Sequence, residues 1–263
     1  MNTAKKLEIK WKNWKDSFGS FIEYLDNKNV EYLSHSRIST IERCEKCYKR
    51  EYIDGEKIDF DAAETGRLIH QAAEIVYNAI KEDEKLSSKT IKKQLRLKHS
   101  NRGRQSELNN GIKTLIKNRW KGYKILSIEK PIFSNLSKEL PPVIGVIDLL
   151  LEKDKYVIVV DHKTGRKFQE KDNDQLILYS NYVMNNIKPK PRACAACFDE
   201  IRLVEDLSSV RDTVFRRTPV PLSEIYYHKI VRRYTKGWKA IKRIENGKKP
   251  KFSSDCFICN GWY

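Results

Sequence analysis

The 263-residue sequence has no uninterrupted apolar run approaching the roughly 20 residues that a membrane-spanning helix needs. Its N-terminal stretch, MNTAKKLEIKWKNWKDSF, lacks the apolar core of a secretory signal peptide. The sequence also lacks internal repeats and long low-complexity linkers. These absences predict a soluble cytoplasmic protein with no membrane partner, encoded by a cell or by a virus.

Acidic residues are scarce relative to basic ones. The chain has 35 Asp plus Glu against 52 Lys plus Arg, which gives a formal net charge of +17. A charge of this sign suits a polyanionic partner, most simply nucleic acid. A lysine-rich surface that only keeps the protein in solution is the alternative that charge alone leaves open. The hydrophobic fraction of 40% allows a substantial core, enough for one large domain with an extension.

The hydrophobic pattern predicts an α/β (α+β) fold, with helices in the first half and strands in the second. Helices are predicted from Ser36 or Ser39 to about Tyr52, and at 62–82, 87–122 with a break at 101–103, 172–186 and 221–245; strands are predicted at 124–134, 142–152, 155–162 and 191–204. A short hairpin turn is predicted at 152–155. A helix between the last two strands indicates a mixed sheet with a crossover.

Two acidic residues occur where strands should fill a core. Asp148 lies within the apolar run 144–151, and Asp161 closes the apolar strand 156–160. A carboxylate at the end of a buried strand is costly unless something pairs with it. Lys163 follows Asp161 by two residues. Two such carboxylates and a lysine favour a site for Mg²⁺ or Mn²⁺, hard ions that prefer oxygen ligands, and the phosphate chemistry that these ions support.

Other polar residues are candidates for the same site. The imidazole of His70 would tilt the preference toward Mn²⁺, and the backbone carbonyl of His162 would add an oxygen ligand. Gln175 and Tyr179 share one helix face and could hold Lys163 or a phosphate. Each motif alone has a structural explanation, such as a core histidine or a strand-end ion pair. The carboxylate of Glu129 is as consistent with a surface position as with the site.

Four short motifs follow one another along the chain: Gly66 to His70 as G-x-x-x-H, Gly145 to Asp148 as G-x-x-D, Asp161 to Thr164 as D-x-K-T, and Gln175 to Tyr179 as Q-x-x-x-Y. This set resembles the RecB-like exonuclease branch of the PD-(D/E)XK nuclease superfamily, including its CRISPR-associated and phage iron–sulfur members. The resemblance covers roughly residues 34–263. It implies a restriction-endonuclease-like mixed central sheet flanked by helices, with residues 1–33 as a basic extension, a helical insertion at about 84–122, and a final helix and cysteine pair at 221–263.

The resemblance also implies roles for individual residues. His70, Asp148 and Asp161 would be metal ligands, and Lys163 the catalytic lysine. The implied activity is a Mg²⁺- or Mn²⁺-dependent DNA exonuclease acting on single strands or DNA ends, in recombination, repair, phage replication or CRISPR-like processing. A non-catalytic nucleic-acid-binding module and a structure-selective endonuclease are the alternatives.

The six cysteines form three C-x-x-C pairs: Cys44/Cys47, Cys194/Cys197 and Cys256/Cys259. In a cytosolic chain this spacing favours metal thiolates over disulfides. The first and last pairs could bind one metal centre that joins the N- and C-terminal regions. Paired spacing favours zinc, whereas the resemblance implies a [4Fe–4S] cluster, although related proteins have one cysteine early and three late. Cys194 and Cys197 are predicted to be small core residues, because i and i+3 face opposite ways in a strand.

The last predicted helix alternates basic and aromatic residues. Basic side chains can follow phosphates while aromatic rings stack on bases. The candidate nucleic-acid-binding residues are Arg232, Arg233, Tyr234, Trp238 and Lys239. An amphipathic helix with buried rings and solvated charges is the alternative.

Overall fold

The computed structural model describes residues 3–56, 61–84, 87–94, 102–209, 213–254, 256 and 258–259. The helices are α1 (Thr3–Lys12), α2 (Phe18–Asn27), α3 (His35–Arg43), α4 (Glu45–Tyr48), α5 (Asp61–Lys81), α6 (Ser88–Gln94), α7 (Arg102–Asn118), α8 (Asp174–Asn186) and α9 (Glu224–Glu245), with a π-helical turn at Lys49–Ile53. The strands are β1 (Lys124–Ser134), β2 (Val143–Lys153), β3 (Tyr156–Gly165), β4 (Ala193–Arg202) and β5 (Phe215–Pro219). In the part of the chain described, no helix is long and apolar enough to cross a bilayer.

The strands form a mixed five-stranded sheet in the order β1-β2-β3-β4-β5. β2 and β3 are antiparallel, β3 and β4 are parallel, and β4 and β5 are antiparallel. A parallel pair needs a crossover connection, and α8 supplies it between β3 and β4. The predicted mixed sheet with a crossover, flanked by helices, is therefore confirmed.

A two-residue turn joins β2 to β3. Lys153 pairs with Tyr156, and the two residues between them, Asp154 and Lys155, have φ of 51° and 67°. Positive φ at both central positions defines the turn that matches the twist of a β-hairpin. The turn fixes the register that brings Leu149 opposite Val160, one residue away from each candidate acid.

The chain divides into two compact units. Unit 1 comprises Met1–Ile58, Pro131–Val146 and Ser223–Tyr263, and unit 2 comprises Asp59–Lys130 and Ile147–Leu222. This grouping differs from the sequence-based division at residue 33. In unit 1 the described residues of α1 and α2 belong to an apolar cluster with Phe133 and Ile144, so the N-terminal stretch is part of a core.

The core of unit 2 lies between its helices and the sheet. Ile69 of α5 and Ile112 of α7 pack in one cluster with Leu149 and Leu151 of β2. Leu150 lies between these two leucines and is buried outside that cluster, as expected when alternate residues of a strand face opposite ways. α8 packs against β3 and β4. Core residues therefore fix both faces of the strands that carry the candidate acids.

The predicted helix from Ser36 or Ser39 to Tyr52 is corrected in two ways. The N-cap is Ser34, whose hydroxyl accepts the backbone N–H of Arg37 at 3.2 Å. The helix also breaks at Cys44, whose backbone is extended with φ −164° and ψ 115°. α4 starts at the next residue, so Cys44 and Cys47 flank a helix start and do not lie on one continuous helix.

Candidate active site and metal centre

α5 approaches β3 closely at a glycine. A Cβ atom at Gly66 would lie 2.9 Å from the Thr164 hydroxyl oxygen, too near for an ordinary contact. The glycine thus allows the helix to lie against the strand. One helical turn later, the Nδ1 atom of His70 lies 3.4 Å from Oδ2 of Asp148 on β2. This close approach explains the G-x-x-x-H spacing, because it places the histidine beside Asp148, in the middle of β2.

Asp148 is held by the neighbouring strand. The backbone N–H of His162 donates to its Oδ2 at 2.7 Å. Burial first, and then the charges of Asp161 and Glu129, raise the pKa of Asp148 well above its ordinary value, against the opposing effect of the His162 N–H. When carboxylates lie this close together, their charged forms repel one another and are unfavourable without a counter-charge. A bound cation would favour their charged forms.

Glu129 joins the same cluster. One ligand atom each from His70, Glu129 and Asp148 lies within 4.8 Å of the others. The φ angle of Glu129 is 47°, a left-handed backbone conformation that is uncommon for residues other than glycine. Burial, followed by the charges of Glu74 and Asp161, raises the pKa of Glu129 to about 7. The sequence left this residue undecided, since a lone Glu in a strand carries no signal of a left-handed turn toward a site.

Lys163 is fixed by three residues. Its Nζ lies 2.7 Å from Oδ2 of Asp161 and donates to Oε1 of Gln175 at 3.1 Å. The amide of Gln175 donates in turn to the Tyr179 hydroxyl at 3.1 Å. Asp161 and Lys163 are two residues apart on β3 and therefore share one face of the strand. The Q-x-x-x-Y motif thus orients the ammonium group, with the lysine side chain still 33% exposed.

The two histidines favour their neutral forms. Burial lowers the pKa of His70, and burial followed by the charge of His70 lowers that of His162 to about 3. The His162 ring stacks on Tyr77, with centroids 5.8 Å apart and an 11° angle between planes. Neutral imidazole is the form that ligates a metal. The backbone of His162 also interacts with the His70 ring, which places the predicted carbonyl ligand beside it.

The described residues fit a divalent cation. Carboxylate oxygens, a backbone carbonyl and one neutral imidazole converge, and the crowding of the carboxylates calls for positive charge. The structure thus brings together His70, Asp148, Asp161, His162, Lys163, Gln175 and Tyr179, all within unit 2. It adds Glu129 to them.

Sequence reasoning missed a buried ion pair beside this site. Asp199 pairs with His162 in the β3–β4 register and is 2% exposed. The guanidinium of Arg217 donates to both of its carboxylate oxygens at 2.6 and 2.8 Å, and the Trp120 indole donates at 2.9 Å. An acidic residue inside the apolar run 191–204 was the available signal. This network supports the strand behind the active site.

The four terminal-pair cysteines form a second cluster, in unit 1. Sγ of Cys47 lies 3.3 Å from that of Cys256 and 3.4 Å from that of Cys259, and Sγ of Cys44 lies 3.6 Å from that of Cys259. All six cysteines are free thiols. Cys194 and Cys197 lie on β4 outside the cluster, and Cys197 is 5% exposed, within the core of unit 2. The predicted grouping of two pairs is present in the structure.

The candidate nucleic-acid-binding residues of α9 differ in exposure. Tyr234 is 0% exposed because it lies on the buried face of the helix. Its ring is therefore not available to stack on a base, and this candidate is corrected. Arg233 forms an ion pair with Glu42, Nη2 to Oε2 2.6 Å. Trp238 is half-buried, with the Lys242 ammonium over its ring. Arg232 and Lys239 are exposed and remain candidates.

The chain was compared with protein families, with curated proteins and with solved structures. The model of the PD-(D/E)XK nuclease superfamily matches residues 32–260. A proposed exonuclease from Eubacterium rectale aligns with a TM-score of 0.57 and 13% identity, over 94% of this chain and 93% of that one. A crystal structure of the protein SSO0001 aligns with a TM-score of 0.39 and 15% identity, over 97% of this chain and 89% of that one. No curated protein matched the sequence.

The family match spans the strands and helices that carry both the acids and the lysine of the site. The predicted family is thus confirmed, and this chain belongs to the PD-(D/E)XK nuclease superfamily.

Proposed function

We propose that this chain is a Mg²⁺- or Mn²⁺-dependent deoxyribonuclease that removes nucleotides from single strands or DNA ends. The observation that carries the proposal is the grouping of His70, Glu129 and Asp148 within 4.8 Å of one another, next to the ion pair of Asp161 and Lys163. The description of the Eubacterium rectale structure as a proposed exonuclease supports the end-directed mode. Recombination, repair, phage replication and CRISPR-like processing are the settings proposed for such an activity.

The chemistry divides between the cation and the side chains. A divalent cation at such a site lowers the pKa of a bound water and offsets charge on the attacked phosphate. Asp148, Glu129 and His70 would hold the cation with Asp161 beside them, and the N–H of His162 keeps the Asp148 carboxylate in place. The ammonium group of Lys163 orients the attacking water or stabilises negative charge that develops on the phosphate oxygens. Gln175 and Tyr179 hold the lysine in the orientation that this requires.

Electrostatic attraction would bring nucleic acid to this protein. The net charge of +17 attracts a polyanion, and the exposed residues Arg232 and Lys239 of α9 are proposed phosphate contacts. Such contacts do not read sequence, so the proposal predicts cleavage that depends on ends and strandedness and not on a recognition sequence.

The test is degradation of 5′- and 3′-labelled single strands and duplexes with Mg²⁺ or Mn²⁺. The wild-type protein should shorten the labelled strands, whereas Lys163→Ala and Asp161→Ala should lose on the order of 10²–10³-fold in rate, the scale for removing one transition-state contact. Lys190→Ala is the matched control. Lys190 is exposed and precedes Ala193, which pairs with Tyr156, whereas Lys163 lies at the other end of β3, about 20 Å away.

Three results would contradict the proposal. A wild-type protein that binds DNA but never cuts it with either ion would indicate the alternative, a nucleic-acid-binding module on a nuclease scaffold. Rapid nicking of covalently closed circles would indicate a structure-selective endonuclease, because a circle has no ends. Equal cutting by wild type and Lys163→Ala would move the chemistry away from this site.

A further inference from the structure

The four cysteines of unit 1 lie too close together for an iron–sulfur cluster. Their ligand atoms all lie within 4.8 Å of one another, and three Sγ pairs are 3.3, 3.4 and 3.6 Å apart. In a [4Fe–4S] cluster each thiolate binds a different iron at a corner of a cube that also contains four sulfides. Thiolates on different corners are separated by the width of that cube. Sulfurs in near contact leave no room for it.

The same distances suit one ion. A tetrahedral zinc with Zn–S bonds of about 2.3 Å holds its sulfurs roughly 3.8 Å apart, only slightly more than the spacing seen here. Two C-x-x-C pairs are the usual way to supply four such ligands. The extended backbone at Cys44 and the start of α4 at the next residue turn Cys44 and Cys47 toward one point. The ligand geometry therefore fits a mononuclear site.

Three of the four thiols are shielded from solvent. Cys44 is 2% exposed, Cys47 0% and Cys256 3%, and Cys259 is half-buried. A tetrahedral site with four protein ligands has no open position for a substrate or water, which is the mark of a structural zinc and not a catalytic one.

We propose that Cys44, Cys47, Cys256 and Cys259 bind one structural Zn²⁺, in place of the [4Fe–4S] cluster that the resemblance to RecB-like nucleases implies. The ion joins segments that are 209 residues apart between Cys47 and Cys256. It has no redox chemistry, so unit 1 keeps its structure in air and in reductant alike. The proposal stands apart from the nuclease site, whose residues lie in unit 2.

The first test is metal content of the full chain. Cells are supplied with equal amounts of iron and zinc, and the protein is purified without oxygen so that a labile cluster would survive. One zinc per chain, with neither iron nor acid-labile sulfide and no broad absorption near 400 nm, supports the proposal. Iron in any stoichiometric form overturns it. This measurement needs no variant, so it does not depend on whether a cysteine substitution folds.

Three variants assign the ion to the cluster. Cys47→Ala should lose the zinc, whereas Cys194→Ala, which removes a cysteine outside the cluster, should keep it. Cys259→His offers the nitrogen ligand that zinc accepts, and should retain one zinc per chain. Loss of zinc from Cys194→Ala, or its retention in Cys47→Ala, would overturn the assignment.

A replacement ion reports the geometry directly. Protein stripped with a chelator and refilled with Co²⁺ should take up one ion per chain and show the intense visible bands of a tetrahedral thiolate site. Weak octahedral bands would contradict the four-thiolate geometry. DNA cleavage with added Mg²⁺ is measured in parallel, so that failure of the zinc assignment and failure of the nuclease assignment give different results.

Discussion

At the scale of single residues, Gln175 connects the ammonium group of Lys163 to the hydroxyl of Tyr179. It accepts a hydrogen bond from Lys163 and donates one to Tyr179, so it acts on the reaction through the lysine. We expect Gln175→Ala to lower kcat by about 10–100-fold, the range for groups that orient a functional residue. KM should change little, because the glutamine does not hold the substrate.

The measurement is a steady-state rate on a single-stranded substrate, with Asn185→Ala as control. Asn185 is exposed on the same helix, and its amide donates to the backbone carbonyl and the side-chain oxygen of Asn181 in the preceding turn. A rise in KM with unchanged kcat would show that Gln175 acts by contacting the substrate and not by orienting the lysine.

The carboxyl cluster predicts a dependence on pH. Burial and neighbouring charge raise the pKa values of Asp148 and Glu129, the latter to about 7. For each group, the metal-free fold therefore binds more protons than the unfolded chain at pH values between its ordinary pKa and its raised pKa. The contribution of these two carboxyl groups to the stability of the metal-free protein therefore falls as the pH rises through about 7, whereas the lowered pKa values of His70 and His162 act in the opposite direction. Mg²⁺ binds the charged forms, so the rise in Tm on adding Mg²⁺ should be larger at pH 8 than at pH 5.5.

Thermal melts in chelator and in Mg²⁺ at several pH values test this. Glu129→Gln should reduce the pH dependence of the Mg²⁺-induced rise in Tm, because it removes the group that changes charge near pH 7. An Mg²⁺-induced shift that grows as the pH falls would contradict the assignment of these carboxylates to the cation.

Gly66 predicts a coupling between α5 and β3. In Gly66→Ala the new methyl group would lie 2.9 Å from the Thr164 hydroxyl, so the helix that carries His70 must shift. We expect weaker Mg²⁺ affinity and a lower Tm, although alanine favours a helix by about 1 kcal/mol. Thr164→Ala in the same protein should restore both, with a coupling of roughly 0.5–3 kcal/mol, whereas Thr164→Ser should not. Isothermal titration and melts of the four proteins measure it.

At the scale of secondary structure, much of the sheet was predictable from residues. Strand 124–134 and the hairpin follow from alternation and from two turn residues between apolar runs. The break at Cys44 was not predictable, because no glycine or proline marks it and the cause is an extended backbone at a thiol of the four-cysteine cluster. The pattern of α9 showed an amphipathic helix but not that Tyr234 faces the core.

The candidate site followed the same rule. Asp148, Asp161 and Lys163 were found because charged residues inside apolar strands stand out. Glu129 did not, since its part in the site depends on a left-handed backbone that sequence does not reveal. Asp148, Asp161 and Lys163 could therefore be proposed from the strand pattern, whereas Glu129, which depends on an irregular backbone, could not.

The Asp199–Arg217 pair should stabilise the edge of the sheet. Arg217→Ala would leave a 2%-exposed carboxylate with the Trp120 indole alone. We expect a loss of about 2 kcal/mol in the free energy of unfolding, below the roughly 3–5 kcal/mol of a fully buried pair because the guanidinium is partly exposed. Urea unfolding measures this. Arg192→Ala, an exposed arginine at the start of β4, should change stability by less than about 0.5 kcal/mol.

At the scale of the whole molecule, the net charge of +17 predicts a strong salt dependence of DNA binding. Each phosphate contact contributes about −0.9 to the slope of log K against log salt on duplex and about −0.7 on a single strand. Lys239→Ala should make the slope shallower by about one such contact. Tyr234→Phe should leave it unchanged, because that ring is buried. Fluorescence anisotropy at several salt concentrations, without divalent ions, measures both slopes.

The assembly of unit 1 from three separate stretches of chain has a consequence for synthesis. The residues of unit 2 that carry the acids and the lysine all leave the ribosome before Ser223, whereas Cys44 and Cys47 must wait for Cys256 and Cys259 to be translated. The candidate active site can therefore form first, and the partner thiols of the early pair are translated last. A nascent chain stalled with unit 2 clear of the ribosomal exit tunnel, and with Cys256 and Cys259 still inside it, should have a formed candidate site while the early cysteines are still open to alkylating reagents.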